Sequence, residues 1–200
     1  MTSFDMPTAF LMAGLMFLLM PAVTWVSLSK VPSSRVGLWC ASALLLGAGT
    51  MLIGMRLHVP AWAGYPLANF LIVLGSLVRI QSLRYEIDGQ WPWSGLALAA
   101  IVPILIFELI RLGLDDVGLR IAYIHTLYAL LFGYVAVFSW QLGTRLHSRS
   151  ALIIAGFHGL LALGFVLRLI EVGAGKFSPD ILDSSYANIL IALAGVLTGA

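Results

Sequence analysis

Tyr65-Pro66-Leu67-Ala68-Asn69-Phe70-Leu71-Ile72-Val73-Leu74-Gly75 is apolar except for a tyrosine at its edge and one amide in its interior. It sits in an apolar run from Ala61 to Ser82, close to the length of about 20 residues that a helix needs to cross a bilayer. An asparagine inside such a run is costly unless its amide is used, because hydrocarbon supplies no water to replace the lost hydrogen bonds. A second stretch, Tyr186-Ala187-Asn188-Ile189-Leu190-Ile191-Ala192-Leu193-Ala194-Gly195, repeats the pattern Ala-Asn-x-Leu-Ile-x-Leu. The same amide at the same place in two runs suggests an internal duplication with a paired polar feature. Coincidence in a Leu- and Ala-rich text is the competing explanation.

The rest of the chain is built of similar runs. Of its 200 residues, 60% are hydrophobic and 10% charged, and the mean hydropathy is +1.00. These values exclude an ordinary soluble domain. Seven segments read as spanning helices, at about residues 8–28, 36–56, 61–82, 95–112, 119–143, 150–172 and 184–200. The expected fold is therefore an all-α, polytopic seven-helix bundle over residues 1–200, arranged as three helices, a linking helix and three more in parallel repeat.

Charge and cysteine usage narrow the function. A net charge of +2, dispersed along the chain, gives no nucleic-acid surface. The single Cys40 excludes an intrachain disulfide and a cysteine metal site, and reads as a small packing residue. Met1 to Pro7 has no basic start, so the first run is read as a retained span rather than a secretory signal. Lys30, Arg35, Arg79, Arg84, Arg145 and Arg149 fall on one face of the membrane. Arg56, Arg111, Arg120, Arg168 and Lys176 fall on the other, mingled with Asp115, Asp116, Glu171, Asp180 and Asp183. The positive-inside rule then puts the amino terminus outside and the carboxyl terminus in the cytoplasm.

Local signals fill in the runs. Pro21 interrupts the first, and Gly47, Gly49 and Gly54 make the second a close-packing helix. Arg56-Leu57-His58-Val59-Pro60 reads as an outer turn, with Trp62 and Tyr65 at headgroup level. Asp88-Gly89 signals a turn after the third run, followed by Trp91 and Trp93 at an interface.

Trp39 with Leu44-Leu45-Leu46-Gly47, Val59-Pro60-Ala61-Trp62, Ala68-Asn69-Phe70-Leu71 with Gly75, and Leu83-Arg84 ahead of Gly89 and Pro92 form a pattern. It resembles the amino-terminal multi-pass region of bacterial diguanylate cyclases of the GGDEF type. The likeness covers the second and third runs, and departs at Tyr85-Glu86-Ile87-Asp88, where that pattern often continues with aromatic and basic residues. It implies a sensory domain in a bacterial inner membrane, placed before a cytoplasmic domain that makes cyclic di-GMP and acting as a homodimer. No Gly-Gly-Asp-Glu-Phe string occurs, and the still-apolar Leu197-Thr198-Gly199-Ala200 reads as leading into a further domain.

Candidate chemistry lies in the polar residues inside the runs. At about 1.5 Å per helical residue, Asn69 lies roughly 12 Å deep, His125 about 9 Å, Glu108 about 8 Å and Arg168 about 6 Å. With Asn188 at the depth of its twin, five helices send a polar group to one level. Such groups usually face a bundle interior or a wet cavity and pair with one another. The expected site is an outward-facing pocket for a small or lipid-soluble ligand. Arg111 and Arg168 are its anion-binding forks, Glu108 and Glu171 their partners, and Asn69, Asn188 and His125 orienting groups. Glu108/Arg111 and Arg168/Glu171, each three apart, also read as local ion pairs near the interface.

Other chemistries fit less well. A haem held by His125 and His158 requires two imidazoles that depth counting offsets by roughly 9 Å or more. No cofactor is otherwise implied. Lys30 and Lys176 lie in connections, so no lysine is placed for a retinal Schiff base. No zinc, phosphate-loop or nucleophile-elbow motif occurs, so no catalytic residue is assigned. The layout of three helices, a linker and three more also resembles the SWEET sugar transporters, although Ser82-Leu83-Arg84-Tyr85 stands where their proline-glutamine signature is expected.

Overall fold

Each apolar run becomes a helix. The computed structural model describes residues 5–28, 34–89, 95–176 and 186–199. In chain order the helices are α1 (Met6–Leu28), α2 (Ser34–Gly54), α3 (Ala68–Asp88), α4 (Leu96–Leu109), α5 (Val117–Arg145), α6 (Arg149–Gly173) and α7 (Tyr186–Gly199). Among the described residues there is no strand. Trp91, Trp93, Lys30, Asp180, Asp183 and Ala200 lie outside them, as do the side chains of Arg35 and Tyr186.

Among the described residues, six helical segments are long and apolar enough to cross a membrane. The seventh run contributes α7, 14 residues among those described. At about 1.5 Å per residue those 14 residues reach roughly 21 Å. The chain is thus an all-helical polytopic bundle.

Helix ends follow from local chemistry. Asp116 caps α5 by accepting from the Leu119 N–H at 2.9 Å, and Ser148 caps α6 by accepting from Ala151 at 3.3 Å. Gly89 ends α3 with φ of 73°, a left-handed conformation open to glycine, and its N–H reaches the Tyr85 carbonyl at 3.1 Å. The expected turn at Asp88-Gly89 is therefore present. The helix itself runs past Ser82 to that turn, because Arg84, Tyr85 and Glu86 are compatible with helix even where apolarity stops.

Two wide turns interrupt the regular ladder. Ala63–Leu67 is a π-helical turn ahead of α3, and Ile110–Leu114 is another that follows α4. In the first, Pro66 has no N–H to give, and the Ala68 N–H reaches back five residues to Ala63. These turns carry Tyr65 and Arg111.

Packing arranges six helices as a closed ring. α1 lies on α2, α2 on α3, α3 on α5, α5 on α6, α6 on α7, and α7 returns to α1. α4 stands outside, against α3 and more lightly against α5. The Tyr123 hydroxyl donates to the Pro103 carbonyl at 3.0 Å and ties α5 to α4. Leu98, Leu105 and Leu109 of α4 remain 65, 62 and 68% exposed, as a lipid-facing helix requires. Inside the ring, Phe10, Phe17, Leu46, Phe132, Leu161 and Phe165 form the buried core.

Candidate functional site

The ring encloses two adjoining cavities that share Ile53 and Tyr128. One is apolar, about 40 Å³, and is walled by side chains from all six ring helices, including Phe17, Thr50, Ile72, Phe132, Leu161 and Ile191. The other is polar, about 50 Å³, and lies at the end of the ring where Tyr65, Arg56 and Arg120 meet.

Three of the residues singled out from the sequence line the polar cavity. They are Asn69 from α3, His125 from α5 and Arg168 from α6. All three are buried, Arg168 to 1% exposure. The Tyr128 hydroxyl donates to Asn69 Oδ1 at 2.7 Å, so the costly amide is used, and α3 is tied to α5 across the ring. This bond leaves the Asn69 NH₂ as the donor end of the side chain.

His125 Nδ1 meets the Ile121 carbonyl at 2.8 Å. A carbonyl only accepts, so Nδ1 carries the hydrogen, and in the neutral ring Nε2 keeps a lone pair. That Nε2 is buried and has no protein partner. Arg168 donates from Nη1 to Glu171 Oε2 at 2.9 Å, the pairing expected of them. Glu171 itself does not line the cavity.

The remaining expected residues stand apart. Arg111 grips Glu108 with two nitrogens, Nε at 2.9 Å and Nη2 at 2.5 Å, in a partly exposed pair one helical turn apart. Neither lines the cavity, and Phe107 supplies the α4 wall instead. Asn188 is buried in α7 and is likewise absent from the wall. The repeat was read as putting it at the level of Asn69, but level alone does not set which way a helix face points.

Four residues that build the site were read from the sequence as something else, or as nothing. Arg56 comes from the turn after α2, Tyr65 from the π-helical turn, and Arg120 and Tyr128 from α5. The guanidinium carbons of Arg56, Arg111 and Arg120 lie 4.3, 5.6 and 5.7 Å from the centre of the Tyr65 ring. Arg56 Nε also donates to the Gly64 carbonyl at 3.1 Å, which fixes it against the turn that carries Tyr65. One signal was available: Arg56, Arg120 and Arg168 all lie near helix ends on the membrane face toward which Asn69 is offset.

His125 and His158 each pack on a phenylalanine. His125 packs on Phe165 at 5.5 Å, Phe165 stacks on Phe132 at 5.7 Å, and Phe132 meets His158 at 6.0 Å. The two imidazoles are thus linked through a chain of two phenyl rings. Among the described residues no group of three His, Cys, Asp or Glu side chains could hold a metal ion.

No protein-family model, no curated protein and no solved structure matches this chain.

Proposed function

We propose that this chain is a membrane sensory domain that binds a small ligand in the polar cavity and transmits occupancy by repacking the ring helices. One observation carries the reading: Asn69, His125 and Arg168, from three helices, converge with Arg56 and Arg120 on a single cavity. Polar groups at such depth are costly, and a bundle needing only stability would fill the space with hydrocarbon. Tyr128 gives the site a route to the rest of the ring. Its hydroxyl holds Asn69, while its ring walls the apolar cavity beyond. A ligand that competes for Asn69 thereby favours a different packing of α3 against α5.

The resemblance to the amino-terminal regions of GGDEF proteins supports a cytoplasmic diguanylate cyclase as the output, with the amino terminus outside and the domain dimeric in a bacterial inner membrane. Thermal unfolding of purified protein in lipid nanodiscs against a panel of small metabolites tests the reading. At least one compound is expected to stabilise the wild type and leave Asn69→Leu unmoved. A panel that never separates the two proteins contradicts it.

A second reading, a small-solute transporter built as a three-one-three parallel repeat, has its own support. The contacts of α1, α2 and α3 have counterparts in those of α5, α6 and α7, with α4 outside. A β-carbon at Gly49 would lie 2.7 Å from Ile72 Cγ1, and one at Gly164 would lie 2.8 Å from Ile191 Cγ1. Ile72 stands three residues after Asn69 and Ile191 three after Asn188, so both halves use a glycine at the matching contact. Uptake of a stabilising compound into proteoliposomes would favour transport over sensing.

A further inference from the structure

We infer that the ligand is a small amphiphile, a hydroxyl head with a short unbranched tail, whose head occupies the polar cavity and whose tail enters the apolar cavity beside it. This rests on the polar cavity being a ligand site. The two cavities adjoin, with Ile53 and Tyr128 common to both walls. Their other described walls differ in kind. Around the apolar one, Phe17, Leu46, Phe132 and Leu161 present hydrocarbon from four helices, and the Thr50 hydroxyl is already used on the Leu46 carbonyl at 2.8 Å. Such a wall offers water too few partners, and a void of this kind takes up an apolar group instead.

Hydrogen bonding sets the head. With His125 Nδ1 on the Ile121 carbonyl, the lone pair at Nε2 is buried without a partner among the described residues. Asn69 receives the Tyr128 hydroxyl on Oδ1 and keeps its NH₂ to donate. A hydroxyl answers both, because its O–H donates to Nε2 while its oxygen accepts from the amide. A head that only accepts leaves Nε2 unmatched. Tyr128 links head to tail: its hydroxyl is anchored on Asn69, and its ring meets Phe132 and Phe165 edge-on at 6.3 and 5.2 Å. An amide drawn toward the head loosens that anchor, and the ring is then free to turn and join the two cavities. The cavities, about 50 and 40 Å³, are together smaller than an engineered apolar cavity of about 150 Å³ that takes up benzene, so the ligand has about four heavy atoms.

The test is thermal unfolding of the full chain in nanodiscs with the straight-chain alcohols from methanol to hexanol. Each is read as the difference between wild type and Asn69→Leu, so that the effect of alcohol on the bilayer cancels. Affinity is expected to rise about fourfold for each added CH₂ as far as propanol or butanol, and then to fall. Propionitrile, which matches propanol in heavy atoms but only accepts, is expected to bind about tenfold more weakly. Gly195 and Ala13 both line the apolar cavity, and a β-carbon at Gly195 would lie 3.5 Å from Ala13 Cβ, an ordinary contact. Gly195→Ala is therefore expected to fold and to shorten the preferred alcohol by about one carbon. Methanol binding as well as propanol, or an unchanged chain-length limit in Gly195→Ala, overturns the two-cavity ligand while the polar cavity stands as a site. Propionitrile binding as tightly as propanol overturns the hydroxyl head. If no alcohol separates wild type from Asn69→Leu, the amphiphile is overturned, and the wider metabolite panel decides the cavity reading on its own.

Discussion

The two ends of this bundle handle buried arginine in opposite ways. At the end away from Tyr65, Arg79 is 4% exposed, donates to Ser42 Oγ at 2.6 Å and lies with its guanidinium 3.5 Å from the centre of the Trp39 ring. Arg84 sits 5.0 Å over Phe138 at the same end. Each cation there has its own aromatic face, which suits a cation held in a dry interior. At the other end, Arg56, Arg111 and Arg120 crowd one ring, and two of them share a cavity wall with Arg168. A cation with a private partner is structural. At the Tyr65 end the cations instead share one ring and one cavity wall.

Substitutions sharpen this contrast. The largest effect on stability is expected from Arg79→Ala, which forfeits a desolvated cation–π contact and the packing of a long stem, at about 3 kcal/mol. Thermal unfolding in nanodiscs should show the loss, with little recovery in Arg79→Lys, because an ammonium lacks the flat face that stacks on Trp39. Gly49→Ala comes next, at about 1–3 kcal/mol, since its β-carbon would press on Ile72 and on the Ala68 carbonyl at 2.8 Å. Tyr128→Phe should cost about 1–2 kcal/mol by leaving Asn69 Oδ1 without its donor, and should alter ligand response as well as unfolding. The smallest effect belongs to Glu108→Gln. Its partly exposed pair with Arg111 contributes about 0–1 kcal/mol, and unfolding should be nearly unchanged. A large loss there would show that the Arg111 pair belongs to the buried site after all.

How far the sequence reached follows the same physics. Membrane helices announce themselves by length and apolarity, so most ends read from the sequence fall within a few residues of those observed. The third run is the exception, because nothing in hydropathy marks where a helix leaving the bilayer stops, and Gly89 does. The π-helical turns were invisible, since one extra residue per turn does not disturb an all-apolar text. That cost the reading of Tyr65, which interface logic assigned to headgroups while the turn aims it at the arginines. Depth counting brought Asn69, His125 and Arg168 to one level and they do share a wall. It could not say that Asn188 faces elsewhere, because depth is legible along a helix and azimuth is not when every face is apolar. Arg79 and Trp39, in separate helices, became partners only through the packing of α2 on α3.

The central claim is that the end of the ring around Tyr65 is a water-reachable, positively charged chamber. Its most direct test is the reaction of Tyr65→Cys, in a Cys40→Ser background, with methanethiosulfonates of opposite charge. The negatively charged reagent should modify the cysteine faster than the positively charged one, and Arg120→Gln should narrow the difference. No modification by either reagent, or a faster reaction with the cation, would contradict the account.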